Sequence, residues 1–238
     1  LGQAAIVLHD QKSRVNYCAA LTSDVIHRHN VANKSAEIMT NHLLTIQDLP
    51  TGRQRCALRL LALFGWRVHF APLPGPRGVV IVYPHTSNLD FFVGLLAKWA
   101  IDLPFHWLGK EALFQGFIGT LIGPVLRALG GEPIERKAST GAIERLAKRI
   151  QDADWYWLVL TPEGTRSYRD SWRSGFYHIA LAAKVPLVTA SFDYATKTIN
   201  VETVISLTGN KEADRAAIVS AYAGVRGYTP ENAGAIDW

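Results

Sequence analysis

Acidic side chains are missing from every position between Asp48 and Asp90, although the 238-residue chain carries 20 of them. The same stretch interleaves Arg53, Arg55, Arg59, Arg67 and Arg77 with Leu58, Leu60, Leu61, Leu63, Phe64 and Trp66. A basic, amphipathic segment tipped with aromatics suits an anionic membrane surface, and it equally suits a core-packed helix with a solvated basic face. Residues 1–50 balance Lys12, Arg14, Arg28 and Lys34 against Asp10, Asp24, Glu37 and Asp48, so the formal net charge of +5 arises beyond them. No recognisable nucleic-acid motif accompanies that charge, and no nucleic-acid partner is expected.

Cysteine is almost absent. Cys18 and Cys56 are the only two, which excludes a disulfide framework and fits a reducing, cytoplasmic setting. Long hydrophobic runs are lacking too. The longest, Phe117 to Leu126, falls far short of the ~20 residues that span a bilayer, so membrane contact is expected to be peripheral, from the cytoplasmic face. Ala4 to Leu8 is cut short by His9 and Asp10, and no signal peptide is expected. There is no GxSxG nucleophile elbow. His69, His106 and His178 lack ligand spacing to carboxylates or cysteines, so no metal is expected and these histidines read as structural.

Residues 1–50 form a poorly defined N-terminal extension, with weak periodicity and no motif. The single methionine, Met39, suggests a native start there; the rival is a genuine helical segment from Ser35 to Ile46. Beyond residue 50 the pattern alternates. Apolar runs predict strands at Arg67–Ala71, Val79–Tyr83, Phe105–Leu108, Tyr156–Leu160, Leu187–Phe192 and Ile199–Val204. Helical periodicity falls at Gln54–Gly65, Leu89–Ala100, Ala112–Leu129, Gly141–Ala153, Gly175–Ala183 and Lys211–Gly224. This alternation implies one α/β domain over residues 51–238.

Two short patterns carry chemistry. In Tyr83-Pro84-His85-Thr86-Ser87-Asn88-Leu89-Asp90, His85 falls on the loop after a strand and Asp90 in the first turn of the next helix, which lets the carboxylate reach the imidazole. Ser87 and Asp90 also read as a helix capping box, and both readings can hold together. A neutral histidine, whose ordinary pKa is about 6.5, is suited to take a proton from a hydroxyl near neutrality. The second pattern, Glu163-Gly164-Thr165-Arg166, follows the strand Tyr156–Leu160 and its terminating Thr161-Pro162. Arg166 can grip a phosphate with two parallel bonds, Gly164 allows close backbone approach, and Glu163 can hold the arginine or a substrate hydroxyl. The bland reading is a surface turn with a local Glu/Arg ion pair.

Together the patterns resemble the lysophosphatidic acid acyltransferase and glycerolipid acyltransferase superfamily, in a compact bacterial-type subgroup. Its HxxxxD block is matched by His85 and Asp90, its second block by Gly131 to Arg136, its EGTR block by Glu163 to Arg166, and its fourth by Val185 to Val188, with Thr189 where a second proline is common. The likeness extends over residues 54–238 and includes Trp107 to Lys110, Trp172 to Ala180 and Tyr222 to Gly227. It implies a central mixed, largely parallel sheet flanked by helices. His85 would be the general base and Asp90 its partner, with Arg136, Glu163, Gly164, Thr165 and Arg166 binding substrate. Backbone amides near Gly164 are candidate oxyanion donors, and apolar residues of Phe117 to Leu126 would line an acyl-chain groove or pack in the core. The implied reaction moves a fatty acyl group, in a ternary complex, from acyl-CoA or acyl carrier protein to a lysophospholipid hydroxyl, above all that of 1-acyl-glycerol-3-phosphate, with no bound cofactor. An aminolipid or glycolipid acceptor, or a non-catalytic membrane-binding module, is the alternative.

Overall fold

Gly78 to Val82 are buried without interruption because their strand lies mid-sheet with helices on both faces. The computed structural model describes residues 42–134 and 141–238. Its strands are β1 (His42–Leu43), β2 (Arg67–Phe70), β3 (Arg77–Val82), β4 (Phe105–Lys110), β5 (Gly131–Ile134), β6 (Tyr156–Leu160), β7 (Leu187–Asp193) and β8 (Thr198–Ile205). They form one sheet in the order β1-β2-β8-β7-β3-β6-β4-β5. Only the β1–β2 and β7–β8 pairs are antiparallel, so the sheet is mixed and mostly parallel. The helices are α1 (Gly52–Leu63), α2 (Leu89–Ile101), α3 (Gly116–Ala128), α4 (Ala142–Asp152), α5 (Gly175–Ala183) and α6 (Lys211–Ala221).

Strand alternation divides the core in two. Val80 and Val82 pack with Ala57, Leu58 and Leu61 of α1 and with Ala97, Ala100 and Ile101 of α2. Val79 and Ile81 face the other way, onto Ala147 and Ile150 of α4, Phe176 and Ile179 of α5 and Ile218 of α6. On the α2 side, α3 lies over the β4–β5 edge. Gly119 and Gly123 of α3 sit against Phe114, whose ring lies 6.4 Å from Trp107, and Trp107 in turn lies 5.7 Å from Phe91 of α2.

Three local expectations change. The helix expected over Ala112–Leu129 is broken: a 3₁₀ turn, Glu111–Leu113, precedes Phe114, and α3 begins only at Gly116, whose φ of 67° suits glycine. A helix over Ser35–Ile46 is not formed at its described end. There His42 and Leu43 pair with Phe70 and His69, a tertiary pairing that overrides weak local preference. The sheet thus reaches back ahead of the boundary expected at residue 51, and Leu49 joins the core. Met39 lies outside the described residues. Third, the Gly131–Ile134 part of the second block forms β5, where no strand was expected.

Candidate active site

Strands β7, β3 and β6 are parallel neighbours, so the loops leaving their carboxyl ends emerge together, the usual place for a site in an open α/β sheet. His85 follows β3 after the cis Tyr83–Pro84 peptide. Its Nδ1 lies 3.1 Å from Asp90 Oδ2, with 15% of the His85 side chain and 1% of the Asp90 side chain exposed. The same Oδ2 accepts the backbone N–H groups of Thr86 and Ser87, each at 2.9 Å. Asp90 therefore tightens the first turn of α2 and meets the imidazole at once; the pairing is formed, but only half of the expected capping box is, because Ser87 Oγ accepts the Leu89 N–H at 3.1 Å and no side chain caps the helix.

Asp90 Oδ1 accepts the phenol O–H of Tyr194 at 2.7 Å. Burial alone pushes the Asp90 carboxyl up, but hydrogen bonds from His85, Tyr194 and Ser87, with the His85 charge, outweigh it and hold the group below its ordinary value. A carboxylate facing Nδ1 keeps the neutral ring's proton on that nitrogen and leaves Nε2 as the free acceptor.

Glu163 is not a surface residue. It is 2% exposed, and its two oxygens accept backbone N–H groups, from His85 at 2.7 Å and from Gly234 at 3.1 Å. The carboxylate thus ties the β6 loop to the His85 loop and both to the C-terminal segment. Burial outweighs these two bonds and raises its pKa above the ordinary glutamate range. The expected local Glu/Arg ion pair is not formed: Arg166 is exposed and makes no hydrogen bond or ion pair among the described residues. Gly164 has φ 64°, a backbone conformation that calls for glycine, and its Cα faces the Arg173 side chain, with a Cβ built there 2.7 Å from Nε. Its N–H donates to Thr161 O at 3.0 Å, which removes that amide from the candidate oxyanion donors. Thr165 Oγ1 accepts from the Ser167 N–H at 3.3 Å. Arg136 lies outside the described residues.

Sequence reasoning missed Tyr194, Gly234 and Thr229, whose N–H reaches Thr86 Oγ1 at 3.2 Å. None belongs to a block. For Tyr194 the available signal was its place directly after a strand; that β7 neighbours β3 is a fact of topology. His106, expected to be structural, stacks on Tyr156 at 4.2 Å and pairs with Glu132 at 3.0 Å. Among the described residues no group of three or more histidine, cysteine and carboxylate side chains is placed to hold a metal ion. Phe117, Leu121 and Val125 depart from expectation, because they stand on open surface rather than in a groove or core.

The arrangement can deprotonate a hydroxyl presented to His85 Nε2, with the resulting imidazolium held by Asp90. Comparison with known proteins identifies the family. A family model described as Acyltransferase matches residues 66–193, more than half of the chain and all of β2 to β7. No curated protein matches. Among solved structures the chain is similar to the 1-acyl-sn-glycerophosphate (LPA) acyltransferase PlsC from Thermotoga maritima. The TM-score is 0.52 at 16% identity, over 75% of this chain and 77% of that one.

Proposed function

The chain belongs to the acyltransferase family, and from that premise we propose that it moves a fatty acyl group from an acyl thioester, on coenzyme A or acyl carrier protein, to the hydroxyl of a lysophospholipid, 1-acyl-glycerol-3-phosphate first among them. The observation that carries this reading is the His85 Nδ1 to Asp90 Oδ2 contact of 3.1 Å, at the carboxyl edge of the sheet, which leaves Nε2 for substrate. In the reaction, Nε2 takes the acceptor's hydroxyl proton as that oxygen attacks the thioester carbonyl. The tetrahedral intermediate collapses, the C–S bond breaks, and the departing sulfur takes the proton back from the imidazolium. Asp90 stabilises the imidazolium between the two transfers. Arg166, exposed beside this edge, and Arg136 would bind the acceptor's phosphate, and Gly164 and Thr165 shape the loop that presents Arg166. The acceptor named for the Thermotoga maritima protein supports the choice of first substrate.

The test is thiol release from palmitoyl-coenzyme A with and without lysophosphatidic acid, for wild type and His85→Ala. Acceptor-dependent release that falls ~10²- to 10⁴-fold in the variant is expected. Release that ignores the acceptor would identify a thioesterase instead, and an active His85→Ala would remove the base.

The same reading places the acceptor in a bilayer, approached from the cytoplasmic face, and the α1–α3 layer offers a docking face. Leu63, Phe117 and Leu121 are 77%, 87% and 71% exposed there, beside Phe64 and Phe92, while α4 to α6 expose only Val219 among large apolar side chains. The one acid of α1 to α3, Asp90, is buried, so the outer charges of that layer are basic. No helix among the described residues is long and apolar enough to cross a membrane, which fits surface docking. Phe117→Ser with Leu121→Ser should weaken co-sedimentation with phosphatidylglycerol vesicles; undiminished binding would exclude this face.

A further inference from the structure

We propose that Tyr194 is a positioning residue of the His85–Asp90 pair: its O–H, donated to Asp90 Oδ1 at 2.7 Å, fixes the rotation of the carboxylate so that Oδ2 faces His85 Nδ1. The role rests on the reading of His85 as the base of acyl transfer. Three donors converge on Oδ2, namely the Thr86 and Ser87 amides and the imidazole, whereas the bond on Oδ1 comes from a residue more than a hundred positions away. Without it the carboxylate keeps its local turn but loses the contact that sets its plane.

Tyr194 is itself held. It follows β7, its N–H donates to Arg226 O at 2.8 Å, and its ring meets Trp66 edge-on at 4.8 Å and Tyr228 at 5.3 Å. The Lys197 ammonium lies 5.4 Å over the same ring. Burial and the hydrogen bond to Asp90 push the phenol's ionisation upward, so it remains a donor throughout the working range. Among the described residues, the titratable groups that act on the dyad are Tyr194 and Glu163, with Tyr228 and Lys197 against the tyrosine ring. Tyr194 lies one residue beyond the family match, so no shared block accounts for it.

Tyr194→Phe keeps the ring packing and removes only the donor. Less of Asp90's charge is then shared and its carboxylate is easier to protonate; both effects move the acid limb of kcat/KM to higher pH. Expected are a kcat lower by about 10-fold, from one lost hydrogen bond to a charged group, and an acceptor KM within about twofold of wild type. 3-Fluorotyrosine at position 194, a stronger donor of nearly the same shape, should move the acid limb the other way. A purely structural role would move neither limb in this paired manner. An independent readout is thermal stability against pH: with the folded value of Asp90 raised toward 3.8, the acid-side loss should be smaller and should end at higher pH in Tyr194→Phe. Unchanged kcat and acid limb, alongside an inactive His85→Ala, would overturn the positioning role and leave the transferase standing. If no form transfers acyl groups, the proposed function fails and the melting profile still decides: an unmoved acid-side loss refutes the Tyr194 contact, and a moved one upholds it.

Discussion

Asp90 and Glu163 are both 2% exposed and stand in the segments that leave two adjacent parallel strands, yet the fold pushes their ionisation in opposite directions. Asp90 meets two backbone amides, a phenol and an imidazole, and these donors outweigh the cost of burying its charge. Glu163 meets two backbone amides, and burial prevails. Similar depth therefore does not mean similar use. The charge is favoured beside the histidine that the proposed reaction would turn into an imidazolium. Where the carboxylate serves as a strut between the β6 loop, the β3 loop and the C-terminal segment, two accepting oxygens suffice.

The largest test of this contrast is Asp90→Asn. The amide cannot accept from the Thr86, Ser87 and Tyr194 donors as a carboxylate does, and it cannot stabilise the imidazolium. The rate should fall on the order of 10²- to 10⁴-fold, measured as kcat at saturating thioester and acceptor. A variant within a few-fold of wild type would show that Asp90's charge is not used in catalysis, and the contrast with Glu163 would collapse.

Glu163→Ala should act in the reverse proportion. It strands the N–H groups of His85 and Gly234, so chemical denaturation should show a stability loss of roughly 2–5 kcal/mol. The rate of the folded protein should fall much less than in Asp90→Asn, because Glu163 touches no reacting atom. Glu163→Gln should recover much of the stability, since one oxygen still accepts and no charge is buried. The pH dependence separates the two carboxylates. Asp90, depressed below 3.8, contributes stability that is present above that value and is lost as pH falls through its lower folded value. Glu163, raised above 4.5, contributes stability that is present below 4.5 and is lost as pH rises through its higher folded value. Melting temperatures on the acid side should therefore lose their lower slope in Asp90→Asn and their upper slope in Glu163→Gln; the same slope missing from both variants would contradict the assignment.

The contrast also marks how far the sequence was readable. Short apolar runs bounded by turn residues located Tyr156–Leu160 and Gly175–Ala183 at their observed bounds and the other long elements within a few residues, since these signals are local. The His85–Asp90 pair was legible for the same reason, five positions apart across one strand-to-helix turn. Glu163 was read as a residue of the site, but its partners were not: the amides of His85 and Gly234 are 78 and 71 positions away. Tyr194 reaches Asp90 across 104 positions, and only the placement of β7 beside β3 brings them together. β1 and the break before α3 were missed because pairing with β2 and the burial of Phe114 are tertiary effects that periodicity does not register.

The smallest expected effect sharpens the comparison at its open end. Beside the buried Glu163, Arg166 is exposed and unpaired among the described residues, a guanidinium that no ion pair of the fold consumes. Its removal should cost little stability, unlike Glu163→Ala. If it grips the acceptor's phosphate, Arg166→Lys replaces a rigid two-pronged donor by a point charge, which weakens binding without touching the proton transfer. The acceptor's KM should rise by roughly 3- to 10-fold, with kcat and the thioester KM nearly unchanged, the signature of lost uniform binding. Measured with lysophosphatidic acid and with a monoacylglycerol that lacks the phosphate, the increase should appear only for the former. An equal change for both acceptors would assign Arg166 to the shape of the loop, and Glu163 and Arg166 would then serve the same end: holding the β6 loop in place.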